Sequence, residues 1–224
     1  MQNFDFDYML ALFPILVKYL GITLEMSLIG FAAALVLSVL LALVRVFKVK
    51  GLDAVVIVYI SFFRGTPLLV QLFLLYYGLP QVFPIFVGMD AFTAAVIGLS
   101  LHFSAYMAES IRGAILGIDK HQMEASLSVG MTEIQAMQRI ILPQAARVAT
   151  PSLMNYFIDM IKSTSLAFTL GVAEIMAKAQ MEASSSFKFF ESFLAVALIY
   201  WLVVIFFTRI QTVMEVRLNK AYAR

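Results

Sequence analysis

Five stretches of this chain are long, apolar and almost free of charge, which limits it to the architectures a lipid bilayer permits. They run from about 19–44, 54–79, 91–111, 151–172 and 190–210. Crossing the hydrocarbon core takes roughly 20 apolar helical residues, and each stretch supplies that length when its soft boundaries are extended. The chain is 62% hydrophobic and 13% charged over 224 residues. One soluble core of that size cannot enclose so much apolar surface. An outer-membrane barrel would show segments of about 10 residues alternating in polarity, a pattern missing here. The expected fold is an all-α integral membrane protein, a single transmembrane domain over 1–224 with five helices.

Other chemistries are excluded by what the sequence lacks. With no cysteine and two distant histidines, neither a thiolate nor a histidine metal site is expected. No Gly-Lys pair occurs, so there is no phosphate-cradling loop and no nucleotide site in this chain. No catalytic constellation and no nucleic-acid partner is expected. Asp5 and Asp7, with no basic residue beside them, are unlike the start of a secretory signal. The first helix is expected to be retained, with both aspartates solvating the terminus.

Lys and Arg placement orients the spans. Arg45, Lys48 and Lys50 follow the first stretch; Arg112, Lys120, Arg139 and Arg147 follow the third; Arg209, Arg217, Lys220 and Arg224 end the chain. Segment 78–90 has none, the N-terminus has only Lys18, and in 173–192 Lys178 and Lys188 are balanced by Glu174, Glu182 and Glu191. The basic segments share one side if the N-terminus is outside and the C-terminus cytoplasmic, the odd topology five spans demand.

Segment 112–147, between the third and fourth spans, reads as two short helices. Asp119 with Gln122, and Thr132 with Gln135, have capping-box spacing. Gly130 suits a left-handed helix end, and the second helix is expected to run to Pro143. Within it, Glu124-Ala125-Ser126 is followed by Gly130 and then by Ile140, Ile141, Leu142 and Pro143. This resembles the EAA motif of permease subunits in binding-protein-dependent ABC importers, with Ser126 in place of the usual second alanine. Phe63-Arg64-Gly65-Thr66-Pro67-Leu68, then Gln71-Leu72-Phe73 and Tyr76-Tyr77-Gly78-Leu79-Pro80, resembles the polar amino acid branch of that family. So does Lys162-Ser163-Thr164-Ser165-Leu166-Ala167, with Ser163 where aspartate is more usual.

The resemblance implies a type I ABC importer permease in a bacterial cytoplasmic membrane, working by alternating access. It implies docking through Glu124, Ala125, Ser126, Gly130, Ile140, Leu142 and Pro143 onto a dimer of separate ATPases that bind ATP and magnesium. A second permease copy or paralogue and an extracytoplasmic amino acid binding protein complete the implied assembly. Run 63–80 and Ile140-Ile141-Leu142-Pro143-Gln144-Ala145-Ala146-Arg147-Val148 look closest to permeases for L-cystine, with glutamine, arginine and histidine as alternative cargoes.

Charges inside spans are costly in lipid and face bundle interiors or water-filled paths. Arg64 lies about ten residues into the second stretch, roughly 15 Å deep for a straight helix. Beside it, Gly65-Thr66-Pro67 weakens helical hydrogen bonding. Arg64 and Thr66 then line a translocation path, or Arg64 pairs with Asp159 or Glu25 for packing alone. Asn155, Asp159 and Lys162 share one helical face with Ser163 adjoining. That stripe either meets a zwitterionic amino acid or is neutralised by an Asp159–Lys162 pair. His102 reads as a hydrogen-bonded packing residue, and Glu109 as the local partner of Arg112. An ion-coupled secondary transporter is the rival reading; it would need coupling-ion ligands and an internal repeat, neither of which is visible.

Overall fold

A computed structural model describes residues 4–220, with side chains through Leu218. Arg224 and the side chain of Lys220, used in the charge count, lie outside the described residues. Among those described there are helices and turns but no strand. Three helices are long and apolar enough to cross a membrane, or up to five spans if each of two bent pairs counts as one.

The first helix, α1 (Phe6–Phe47), is opened by Asp5, whose carboxylate accepts from the Tyr8 N–H, and closed by Lys48 in a left-handed conformation. Its 42 residues extend about 63 Å, twice the hydrocarbon thickness. The helix thus begins well before residue 19, where the first apolar stretch was expected to start. Lys18 does not interrupt the helix, because Met9, Leu12 and Leu16 already have partners at its N-terminal end: Ile175, Ala179, Ala195, Val196 and Ile199.

The second stretch is not one straight helix. Helix α2 (Leu52–Gly65) and the run after it meet at 112°. Pro67 disfavours helical geometry at the residue before it, and Thr66 is extended (φ −119°, ψ 146°). The chain continues through α3 (Leu68–Phe73), a π-helical turn over Leu74–Gly78 and α4 (Leu79–Val82). The bend falls after Arg64, so the straight run from residue 54 to Arg64 is unbroken. Arg64 stands at the end of α2, one residue before the helix stops.

Helix α5 (Ala91–Leu116) is capped by Asp90 and packs along α1. Small residues let the backbones approach, as is usual between helices in lipid. A Cβ on Gly30 would lie 3.2 Å from Met160 Sδ, and the Ser100 hydroxyl donates to the Gly30 carbonyl at 3.2 Å. Helix α6 (Lys120–Ser128), α7 (Glu133–Ala136) and a π-helical turn over Met137–Ile141 lead into α8 (Leu142–Ser163). A 3-10 segment (Thr164–Leu170) follows, then α9 (Ile175–Ser186), then α10 (Phe189–Lys220). At the far end of the fourth stretch the helix breaks and turns by 54° between Leu170 and Ile175.

The helix ends sort into two groups. Leu43 and Val46 of α1, Ala114 and Ile115 of α5, and Met137, Ile141 and Ala145 form one cluster. That brings Arg45, Arg112 and Arg139 to the same end of the bundle. At the other end Lys188 pairs with Asp5 at 2.5 Å, while the Asp5 N–H donates to Glu191 Oε1 at 2.9 Å. Asp5 was expected to solvate the terminus; instead it latches α1 to the α9–α10 turn. The neighbouring Lys188 ammonium, hydrogen-bonded to it, holds the Asp5 carboxyl below the usual carboxylate range.

Candidate functional site

The segment singled out by spacing is a helix, a corner and a second helix. Asp119 opens α6 by accepting from the His121 N–H at 2.9 Å, so it caps the helix without the reciprocal Gln122 bond of a full box. At the far end Met131 N–H donates to Ser126 O at 3.1 Å and Gly130 N–H to Leu127 O at 3.0 Å. This paired closure requires a left-handed residue, and Gly130 has φ +86°. Thr132 and Gln135 form the expected reciprocal box at the start of α7.

Exposure divides this segment in two. Glu124 is 70% exposed at its side chain and Ala125 is exposed, while Ser126 is buried with its hydroxyl donating to Gln122 O at 2.7 Å. A small residue is needed at 126 because that face lies against the bundle. Val129 and Ile134 are apolar and exposed near the corner. Ile141 is buried with Met137 and Ala145, Ile140 and Leu142 pack onto them, and Pro143 is exposed.

The second helix does not end at Pro143, correcting the expectation. Pro143 occupies the first turn of α8, directly after the π-helical turn over Met137–Ile141. The π turn before it takes up the irregularity. The chain is consequently helical from Glu133 to Leu170 without a sharp bend. From Glu133 to Lys162 that rod measures about 45 Å, joining the exposed corner to the polar stripe.

On the stripe, Lys162 Nζ lies 2.6 Å from Asp159 Oδ1, with side chains 53% and 50% exposed in the isolated chain. Ser163 donates to Asp159 O at 2.8 Å, and Asn155 Oδ1 accepts from Gln211 of α10 at 3.1 Å. Asp159 therefore pairs within its own helix. Among the described residues Arg64 forms an ion pair with neither Asp159 nor Glu25. Its guanidinium lies 5.5 Å from the centroid of the Tyr106 ring, and Tyr106 stands 6.2 Å from Tyr156, next to Asn155. Two tyrosines thus lie between Arg64 and the stripe; sequence reasoning had passed over both because aromatic residues are common in apolar runs.

Thr66, expected on the path, is tied into the break itself. Gln71, 5% exposed, donates through Nε2 to Phe63 O (3.0 Å), Thr66 O (3.0 Å) and Thr66 Oγ1 (2.8 Å). Its Oε1 lies 2.9 Å from His102 Nδ1. One amide thereby satisfies carbonyls that the proline frees and anchors the bend to α5, as buried polar groups require. His102 is the hydrogen-bonded packing residue expected, and Glu109 pairs with Arg112 at 2.7 Å. Glu25 is exposed beside an open cleft with Ile22, Ala91 and Phe92.

Glu174, which entered the sequence reading only as a balancing charge, is fully buried at the elbow of the fourth stretch. The only sequence signal was its position between Gly171 and a new helical run, where an acidic residue can cap. Among the described residues no group of histidine, cysteine and acidic side chains has the arrangement of a metal centre.

The family described as binding-protein-dependent transport system inner membrane component matches residues 34–220. The probable amino-acid ABC transporter permease protein PatM of Vibrio harveyi is 75% identical over 223 residues, 100% of both chains. The L-cystine transport system permease protein TcyB of Bacillus subtilis (strain 168) is 41% identical over 216 residues, 96% of this chain and 91% of that one. A crystal structure of an amino acid ABC transporter with histidines is similar at a TM-score of 0.89 and 34% identity, covering 96% of this chain and 100% of that chain. The chain therefore belongs to the binding-protein-dependent transport system inner membrane components, a non-catalytic ABC permease subunit with the type I importer fold.

Proposed function

We propose that this permease imports a polar amino acid, with L-cystine the first candidate, by alternating access driven by a separate pair of ATPases. The observation that carries this is the continuous helical run from Glu133, just past the exposed corner at Gly130, to the Asn155, Asp159 and Lys162 stripe. A helix is stiff along its axis, so displacement of its base moves the stripe. Glu124, Ala125 and Gly130, with exposed Val129 and Ile134 beside them, form the seat for the ATPase. Ser126, Ile140, Leu142 and Pro143 join that seat to the rod. ATP and magnesium belong to the ATPase.

The basic ends gathered around Arg45, Arg112 and Arg139 support a cytoplasmic position for the docking segment, with the N-terminus outside and the C-terminus inside. Asp159 and Lys162 offer one charge of each sign, the complement of an amino acid's ammonium and carboxylate, and Arg64, Thr66 and Ser163 complete the path. A second permease copy or paralogue faces this stripe, and an extracytoplasmic binding protein delivers the substrate. Likeness to the TcyB permease supports cystine.

The test is ATPase stimulation in the reconstituted complex by binding protein loaded with each candidate amino acid. Stimulation by cystine supports the full reading, and stimulation only by glutamine, arginine or histidine moves the cargo. Stimulation only by sugars or inorganic anions, or uptake driven by an ion gradient without any ATPase, refutes the amino acid importer.

A further inference from the structure

We propose that Glu174 is a positioning residue for transport, the fixed point against which the rod of α8 moves; this rests on the importer reading above. Its side chain is 0% exposed, and every group reaching it in the structure is a donor. Oε1 accepts from the Ala177 N–H at 2.7 Å, and Oε2 from the Met176 N–H at 2.9 Å and the Tyr200 hydroxyl at 3.2 Å. The Thr23 hydroxyl lies 3.5 Å from Oε2 and 3.5 Å from the Ile175 nitrogen. One carboxylate thus ties α1, α9 and α10 together at the elbow between Leu170 and Ile175, where the helix axis turns by 54°.

Packing alone does not call for a carboxyl group here, since burying one is costly and apolar residues fill such space at less expense. What the carboxyl group adds is direction. Oriented N–H and O–H donors hold it in one geometry at the N-terminal end of α9. Among the described residues no basic side chain pairs with it. Tyr200 also lines a cleft of about 460 Å³ with Lys162, Ser165 and Met176. Glu174 therefore binds α1, α9 and α10 into one block, and through Tyr200 sets the wall that Lys162 faces. A push delivered at Gly130 shifts the rod relative to that block only while the elbow is rigid. Without the carboxylate the push is absorbed at the elbow, and ATP is hydrolysed without moving substrate.

The experiment uses the full complex in liposomes and measures amino acid moved per ATP hydrolysed. It also measures the concentration of loaded binding protein that half-saturates the ATPase. Glu174→Gln keeps the size and replaces one accepting oxygen by an amide nitrogen that cannot accept; Tyr200→Phe removes one donor and leaves the helix cap. Both variants are expected to retain the ATPase, with half-saturation within about twofold of wild type. Amino acid moved per ATP falls about tenfold for Glu174→Gln and severalfold for Tyr200→Phe, the scale of one buried group left without its hydrogen-bond partner. The double variant is no worse than Glu174→Gln, because both break the same contact. Wild-type stoichiometry in either single variant, or losses that multiply in the double, overturns the proposal. Should Glu174→Gln fail to assemble, Tyr200→Phe decides: a lower ratio with normal half-saturation supports the proposal, and an unchanged ratio overturns it. A wild-type complex that moves no amino acid counts against the importer reading instead.

Discussion

Gly130 offers the sharpest test of the docking proposal, because steric and conformational effects separate there. Its φ is +86°, and a Cβ built on it meets no atom within 4 Å. A side chain at 130 thus has room, and the cost of substitution is confined to the backbone. For an L-residue the left-handed region costs about 1–2 kcal/mol, less for Asn, whose short polar side chain tolerates it. A β-branched residue is worst. If the corner relaxes to escape that strain, the Schellman closure to Ser126 and Leu127 opens and α6 swings away from its seat. At 1.4 kcal/mol per factor of ten, ATPase affinity should fall about 5- to 30-fold for Gly130→Ala and more for Gly130→Val. Gly130→Asn should stay within a few-fold. Titrating purified permease in nanodiscs with labelled ATPase measures the series. Wild-type affinity in Gly130→Val, or Asn weaker than Ala, would refute the reasoning, since neither order follows from a left-handed corner.

Three further outcomes are expected. Asp159→Asn and Lys162→Gln should each reduce transport by about tenfold or more while ATPase binding is unchanged, because removing one partner leaves the other charge unpaired on the stripe. If the double variant transports normally, the pair has no contact with substrate. Gln71→Leu should destabilise the folded chain by about 2–4 kcal/mol, as several acceptors and His102 lose their partner together; resistance to denaturant within 0.5 kcal/mol of wild type (~) would show that the bend holds without it. The Asp5–Lys188 latch should be constant from about pH 5 to 9. Its Asp5 contribution, from a lowered carboxyl, is present above the ordinary carboxylate value and lost only as pH falls through the lower folded one. Its Lys188 contribution, raised first by the Asp5 hydrogen bond, is lost only as pH rises through the raised folded value. Hydrogen exchange near Tyr8 should be insensitive to pH in that window, after correction for intrinsic rates, and should speed up in Lys188→Met; a midpoint near neutrality would contradict this.

The features legible in the sequence were those with a local cause. Apolar run length identified helices that need lipid, Gly65-Thr66-Pro67 marked the break in the second stretch, and Thr132 with Gln135 marked a helix start that forms as written. The corner at Gly130 and the caps beside it were legible for the same reason, being specified by residues within one or two turns. Pro143 misled because a proline is tolerated in a helix's first turn as readily as it ends one. Only tertiary structure decided whether the helix continues, how far the chain turns at Thr66, and which buried polar groups meet. Glu174 and Tyr200 are 26 residues apart, Thr23 and Glu174 151 apart, and no local pattern registers contacts over such distances. The sequence by itself determined a membrane-embedded helical subunit, because the length of an apolar run is a local property. How the exposed corner at Gly130 lies relative to the polar stripe was decided by packing, because it depends on which helix ends share a neighbourhood.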